Sequence, residues 1–217
     1  MDNWRPLGAI FDMDGLLLDT ERPAIPLWTI AGKIYGWDVD SETVIMTLGL
    51  SGVGTREIFM KRLGPDFPYD KVKEEYKRLY IETFEKVVEL KTGVFTLLDR
   101  LYSLKIPLAV ATSTRHNYAF EKLSTAGIQD RFDVIVGGDE ITNGKPAPDI
   151  FLLAARKLGK LPSECVGFED APAGLIGLHA AGIRSVFIKD MATPSKELLS
   201  TVWRCFNDLG EAVQLWD

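Results

Sequence analysis

Histidine and cysteine are almost missing from this sequence, which carries two of each in 217 residues. Cys165 and Cys205 are too few for a thiolate metal cluster, and such a pair is expected to stay reduced. With only His116 and His179, a zinc site built on histidine is not expected either. Long apolar runs are lacking too: no stretch of about eighteen apolar residues occurs, which argues against a membrane partner. The opening residues, MDNWRPLG, lack the basic-then-apolar layout of an export signal, so the cytoplasm is the expected location. Basic charge is in deficit, 25 Lys and Arg against 31 Asp and Glu, for a net charge of −6. That balance gives no support to a nucleic-acid partner. Internal repeats and low-complexity tracts are absent.

What is there suits an ordinary globular chain, 46% hydrophobic and 26% charged, with enough apolar material for one domain or one domain carrying a smaller insert. Short apolar runs of strand character recur: LGAIF (7–11), PLAVA (107–111), FDVIV (132–136), CVGF (165–168) and SVFI (185–188). Between the later ones lie segments of helical period, HNYAFEKLSTAG, APDIFLLAARKLGK and APAGLIGLHAAG, closed by Gly127, Gly159 and Gly182 where helix C-caps belong. Alternation of this kind predicts an α/β fold with a doubly wound parallel sheet, covered on both faces because its strands are apolar throughout. Residues 20–92 break the rhythm. They read as amphipathic helix, most clearly in YDKVKEEYKRLYIETFEKVVEL, where Val72, Tyr76, Leu79, Phe84, Val87 and Val88 supply apolar faces. Glu74–Arg78 and Glu82–Lys86 are favourable pairs four residues apart. A helical subdomain over 20–92 is therefore expected between the first two strands of a core formed by 1–19 and 93–217. Its junctions fall near Asp19–Glu21 and Lys91–Gly93.

Polar groups follow each strand. Asp12 and Asp14 follow the first; Thr112, Ser113 and Thr114 the second; Lys145 lies in the loop after the third; Glu169 and Asp170 follow the fourth. In an open parallel sheet, ligands bind beyond the carboxyl ends of the strands, so these segments deliver their side chains to one edge. Carboxylates gathered there need a cation, and oxygen donors without histidine or thiolate point to Mg²⁺. Hydroxyls and an ammonium are donors that an anion would need, and phosphate satisfies both halves. A carboxylate beside phosphorus can act as nucleophile, and a second can protonate the leaving oxygen and then activate water. Each group also has a plainer explanation. Asp12 and Asp14 could end a strand in a solvated turn, Lys145 could be a loop lysine, and Thr112–Ser113 and Glu169–Asp170 could cap the helices that follow.

DMDG, Thr112–Ser113 after a strand, KPAPD and FEDA, in that order, resemble the haloacid dehalogenase-like hydrolase superfamily, in its β-phosphoglucomutase-like and sugar-phosphate phosphatase branch. The resemblance covers nearly the whole chain. It implies a Rossmann-like core under a mobile helical cap, with Asp12 as nucleophile and Asp14 as general acid and base. Thr112 and Lys145 would bind the transferring phosphoryl group, assisted by Ser113. Asp12, the backbone carbonyl of Asp14, and Asp170 would hold Mg²⁺, with Glu169 close by or acting through water. Arg56 resembles a cap arginine used on a substrate's distal group, or else is a surface arginine, and Arg115 and His116 follow the second motif toward the cleft. His179 reads as solvated, and the five tryptophans as packing residues.

The leading expectation is a monomeric, Mg²⁺-dependent phosphatase acting on a small phosphorylated metabolite, a sugar phosphate, through an aspartyl-phosphate. The runner-up is β-phosphoglucomutase. The resemblance implies a histidine in the first cap helix of mutases, and here Ala24 stands at that spacing. A haloacid dehalogenase would need neither Asp14 nor Mg²⁺, and a phosphonoacetaldehyde hydrolase needs a cap lysine that has no counterpart in context. A signalling receiver or a non-catalytic phosphate-binding protein is the remaining alternative, but receivers are about half this length and lack the insertion.

Overall fold

The computed structural model describes residues 4–84 and 88–216. Along the chain run β1 (Gly8–Phe11), α1 (Glu21–Ile34), α2 (Ser41–Ile45), α3 (Gly52–Leu63), α4 (Tyr69–Phe84), α5 (Val94–Ser103), β2 (Leu108–Ala111) and α6 (His116–Thr125). There follow β3 (Val134–Val136), α7 (Asp149–Lys157), β4 (Cys165–Glu169), α8 (Pro172–Ala180), β5 (Arg184–Ile188), α9 (Lys196–Leu199) and β6 (Arg204–Phe206). The strands form one parallel sheet in the order β3-β2-β1-β4-β5-β6. From β1 the chain winds outward through β2 and β3 on one side, then returns to β4 on the other, so strand order reverses between β1 and β4.

Period-two alternation splits the strand residues between two apolar layers. Ala9, Phe11, Val110, Val166 and Phe168 pack on one face with Leu97, Leu98 and Leu101 of α5 and Ala119 and Leu123 of α6. Ile10, Ala109, Ala111 and Cys165 pack on the other with Ile150, Phe151 and Ala154 of α7 and Leu178 of α8. Both faces are covered, which explains the uninterrupted apolar runs. The three glycines that follow α6, α7 and α8 take left-handed backbone, as their places in the sequence predict.

Helices α1 to α4 gather a third apolar cluster of their own, centred on Trp28, Phe59, Phe67, Tyr69 and Val72, with Tyr76 and Leu79 packed against it. Trp28 lies 4.6 Å from the Phe59 ring and stacks on Tyr76 at 4.4 Å. Val88 departs from the expectation. It lies beyond α4 and packs on the sheet's core instead. Arg78 pairs with Glu75 and with Glu82 at 2.6 Å, rather than with Glu74. The expected Glu82–Lys86 pair, the Phe84 side chain and Val87 lie outside the described residues. The two crossings between sheet and insertion run side by side. Leu18 forms an antiparallel bridge with Leu90, flanked by Asp19 N–H to Glu89 O at 2.8 Å and Lys91 N–H to Leu17 O at 2.9 Å. Among the described residues no helix is long and apolar enough to cross a membrane.

Candidate active site

The strand-order reversal between β1 and β4 opens a crevice at the carboxyl edge of the sheet, the usual ligand position in open α/β sheets. β1 ends directly into Asp12, and the Asp12 N–H continues the ladder to Phe168 O at 3.1 Å. Asp12 is only 4% exposed, so it is not a solvated turn residue. Lys145, 2% exposed, donates to Asp12 Oδ1 and, at 2.6 Å, to Glu169 Oε1. The other oxygen of Glu169 accepts the backbone N–H groups of Asp170 and Ala171, each at 2.9 Å. The N-cap of α8 is Ala171, which has no capping side chain; Glu169 holds N–H groups just ahead of the helix, and the Asp170 carboxylate makes no bond to it. Glu169 fits only because α8 carries glycine beneath it: a Cβ at Gly174 would lie 1.6 Å from Glu169 Oε1.

Asp14 has different surroundings and is a quarter exposed. Its Oδ1 accepts from Thr20 Oγ1 at 2.7 Å and from Lys122 Nζ at 2.8 Å, and its Oδ2 from Thr114 Oγ1 at 2.7 Å. Burial would raise the Asp14 carboxyl, but the Lys122 charge and these three hydrogen bonds outweigh it and hold the group below the usual range. For Asp12 the balance goes the other way. Burial, opposed by Lys145 and reinforced by Glu169, pushes it up to about 7. Two neighbouring carboxyls thus stand in opposite surroundings, one buried against an ammonium and one held by donors at the cavity.

Asp12 and Asp14 form the floor of a cavity of about 280 Å³ between the sheet edge and the insertion. Thr20, Thr112, Ser113, Thr114 and Lys122 line it from the sheet side, and Ala24, Trp28, Tyr69, Lys73, Tyr76 and Tyr80 from the helices. Thr112 is buried, and its Oγ1 accepts the Thr114 N–H at 3.1 Å. Ser113 Oγ donates to Gly49 O at 3.3 Å, a bond from the sheet edge to the insertion. Neither residue caps α6: its N-cap is Arg115, and the first helical N–H, of His116, donates to Asp139 Oδ1 at 2.8 Å.

Lys145, Glu169 and Asp170 are not cavity-lining residues; they sit buried behind the floor. Asp12, Glu169 and Asp170 each offer an oxygen within 4.8 Å of the others. Both carboxylate oxygens of Asp170, 1% exposed, lack a hydrogen-bond partner among the described residues. Burial, then the charges of Glu21, Glu169 and Asp12, push its carboxyl well up. Two unsatisfied oxygens in an all-oxygen acidic cluster are what a hard divalent cation would satisfy, and Gly15 leaves the space. Its φ of +90° suits glycine, and a Cβ there would lie 2.5 Å from Asp170 Oδ2.

Some expected residues are not brought to the cavity. Arg56 pairs on the surface with Asp70 at 2.6 Å, and Tyr69 stands in the cavity wall beneath it. Arg115 is exposed, and His116 turns to Glu140 at 3.1 Å; neither lines the cavity. His179 is exposed on α8. Thr20, Glu21 and Lys122 are site residues that the motifs did not single out. An acid directly after Asp19–Thr20 was the one available signal for Glu21, whereas Lys122 approaches Asp14 only through the packing of α6.

The profile of the family described as haloacid dehalogenase-like hydrolase matches residues 9–188. The chain belongs to this family. Among its relatives, the phosphorylated carbohydrates phosphatase of Thermotoga maritima is 32% identical over 179 residues, covering 82% of this chain and 83% of that protein. The fructose-1-phosphate phosphatase YqaB of Escherichia coli is 31% identical over 188 residues, covering 85% of this chain and 97% of its own length. Of solved structures, the β-phosphoglucomutase of Clostridium difficile superposes with a TM-score of 0.81 at 25% identity, covering 95% of this chain and 93% of that one. Membership extends over both the sheet and the helical insertion, since the matched span includes residues 20–92.

Proposed function

We propose that this protein is a Mg²⁺-dependent phosphatase that hydrolyses a small sugar phosphate by passing its phosphoryl group through Asp12. The observation that carries the reading is the pair of carboxylates on one cavity floor: Asp12 buried against Lys145, Asp14 open to the cavity and held ionised by Lys122. Asp12, Asp170 and the backbone carbonyl of Asp14 would hold the cation, with Glu169 beside them. When bound, it neutralises the gathered carboxylates and the phosphoryl oxygens.

The side chains do the rest. An Asp12 oxygen bonds to phosphorus as the bond to the sugar oxygen breaks, and Asp14 supplies the proton that oxygen needs. Water, giving a proton back to Asp14, then cleaves the aspartyl-phosphate, releasing inorganic phosphate and restoring Asp12. Thr112, Ser113 and Lys145 would bind the phosphoryl oxygens during both transfers. To act first as an acid, Asp14 must exchange its bonds to Thr20, Thr114 and Lys122 for a proton. Residues 20–92 would serve as a cap on the core formed by 1–19 and 93–217, and closure is the natural occasion for that exchange.

A small sugar fits the walls. The cavity volume lies just below the usual range for ligand sites, which suits a small substrate. Aromatic rings interleaved with hydroxyls and Lys73 offer both flat apolar faces and hydrogen bonds. Relatives named for phosphorylated carbohydrates and for fructose 1-phosphate support the same class. The fold likeness to a β-phosphoglucomutase supports a mutase as the second reading, but Ala24 presents only a methyl group to the cavity at the position where a histidine would be expected. Two assays test the reading. A Mg²⁺-supplemented screen of sugar phosphates should release inorganic phosphate, and Asp12→Asn should fold normally yet lose turnover by orders of magnitude. Comparable turnover in that variant removes Asp12 from the chemistry. Fast glucose 6-phosphate formation from β-glucose 1-phosphate with a bisphosphate primer would make the mutase the better reading.

A further inference from the structure

We propose that Glu21, the first residue of α1, is a further acid ligand of the bound cation, shared with Asp170, and that through it the cation holds the insertion to the sheet edge. The assignment rests on the Mg²⁺ reading above.

Glu21 is 6% exposed, and its Oε2 has no hydrogen-bond partner among the described residues. That oxygen and Asp170 Oδ2 face the same space. A Cβ on Gly15 would stand 2.6 Å from the first and 2.5 Å from the second, so glycine keeps open the gap between two bare carboxylates. Glu21, Asp170 and Asp190 also offer oxygens within 4.8 Å of one another.

The surrounding cations are already engaged. Lys145 holds Asp12 and Glu169, and Lys122 holds Asp14. Arg22 reaches Asp190 Oδ1 at 2.6 Å, and Lys91 reaches Asp190 Oδ2 at 2.6 Å. Both oxygens of Asp190 are therefore occupied, which makes it the outer wall of the space rather than a ligand. Glu21 and Asp170 remain as two buried carboxylates that form no ion pair with a side chain among the described residues. Burying such a pair is costly unless a positive charge joins it. The N-terminus of α1 gives a little help to an acid at its first position, but no more than that. Asp170 belongs to two acidic groups, one with Asp12 and Glu169 and one with Glu21 and Asp190, so it is the residue through which a bound cation would meet Glu21.

The test is Mg²⁺ titration by calorimetry on the full chain, with thermal unfolding of the metal-free protein measured alongside. Wild type is expected to bind, Asp170→Asn to lose binding, and Glu21→Gln to bind about tenfold or more weakly, the usual scale for a group that supports a metal. Metal-free Glu21→Gln should melt above wild type, because one of two facing carboxylates is gone. Glu21→Ala, which adds no amide in its place, should lose the same factor in affinity. Wild-type Mg²⁺ affinity in both Glu21 variants, with Asp170→Asn still defective, overturns the role of Glu21 and leaves the Mg²⁺ reading standing. A wild-type protein that takes up no Mg²⁺ overturns both.

Discussion

Lys145 is the ammonium in direct contact with both Asp12 and Glu169, and all three side chains are shut away from solvent. Its Nζ also lies 4.9 Å from the centre of the Phe151 ring, so the ammonium is packed as well as paired. Removing one partner of a buried ion pair strands the other, which typically costs about 3–5 kcal/mol. Lys145→Ala is expected to lose stability on that scale in urea unfolding of the metal-free protein; a loss below about 1 kcal/mol would mean the pocket admits water in its place. At this scale the sequence was informative wherever a side chain comes directly off a strand end. Asp12, Asp14, Thr112 and Asp170 lie where the edge rule puts them, because a strand's exit is fixed by the sheet. Lys122 was illegible as a site residue, and Glu21 left only a faint signal, since their approach depends on how α6 and α1 pack. Arg56 is not brought to the cavity for the same reason: a motif-like position on α3 says nothing about which way the helix turns it, and here it pairs with Asp70.

Elements divide along similar lines. The strands β1 to β5 were visible as apolar runs because both sheet faces are covered. β6 was not, since of Arg204, Cys205 and Phe206 only Phe206 is buried and the strand lies at the edge. Helix α4 was legible in its period, although its ion pairs took different partners from those that spacing suggested. Thr20 precedes α1 without capping it, because its hydroxyl is committed to Asp14; a local stabilising bond has been given up to shape the site. The insertion's own cluster can be probed through Phe59, which is fully buried between Trp28, Phe67 and Tyr69. Phe59→Ala is expected to cost about 3–5 kcal/mol by denaturant unfolding, the range for truncating a core aromatic. The part of the tryptophan fluorescence that comes from Trp28, one of five tryptophans, should shift with it.

For the molecule as a whole, the gathered acids set the response to pH. Folding moves the Asp12 carboxyl from its ordinary 3.8 up to about 7. Between those values the folded state holds more protons than the unfolded one, so this group's contribution to stability falls as pH rises through the window. Glu21 and Asp170, raised chiefly by burial and then by neighbouring carboxylates, act in the same sense. Asp14 acts oppositely: its stabilising bonds are present above its ordinary 3.8 and lost as pH falls through its lowered value. The melting temperature of the metal-free protein is therefore expected to fall between about pH 4 and pH 7, the interval in which Asp12 differs between the two states. Added Mg²⁺ should restore more at the upper end than at the lower. A flat metal-free profile, read by calorimetry, would contradict the raised carboxyls.

The bridge between Leu18 and Leu90 has an engineering consequence. Departure and return of the insertion are neighbours across a single antiparallel rung, about 5 Å apart between Cα atoms. A tight Asn-Gly turn could span that distance, so residues 20–88 are expected to be removable without cutting the sheet's wiring. The shortened chain should still unfold cooperatively, with its far-ultraviolet dichroism reduced by the helical signal of α1 to α4. By the same geometry, helical blocks taken from relatives with other tastes in substrate could be plugged into this one socket.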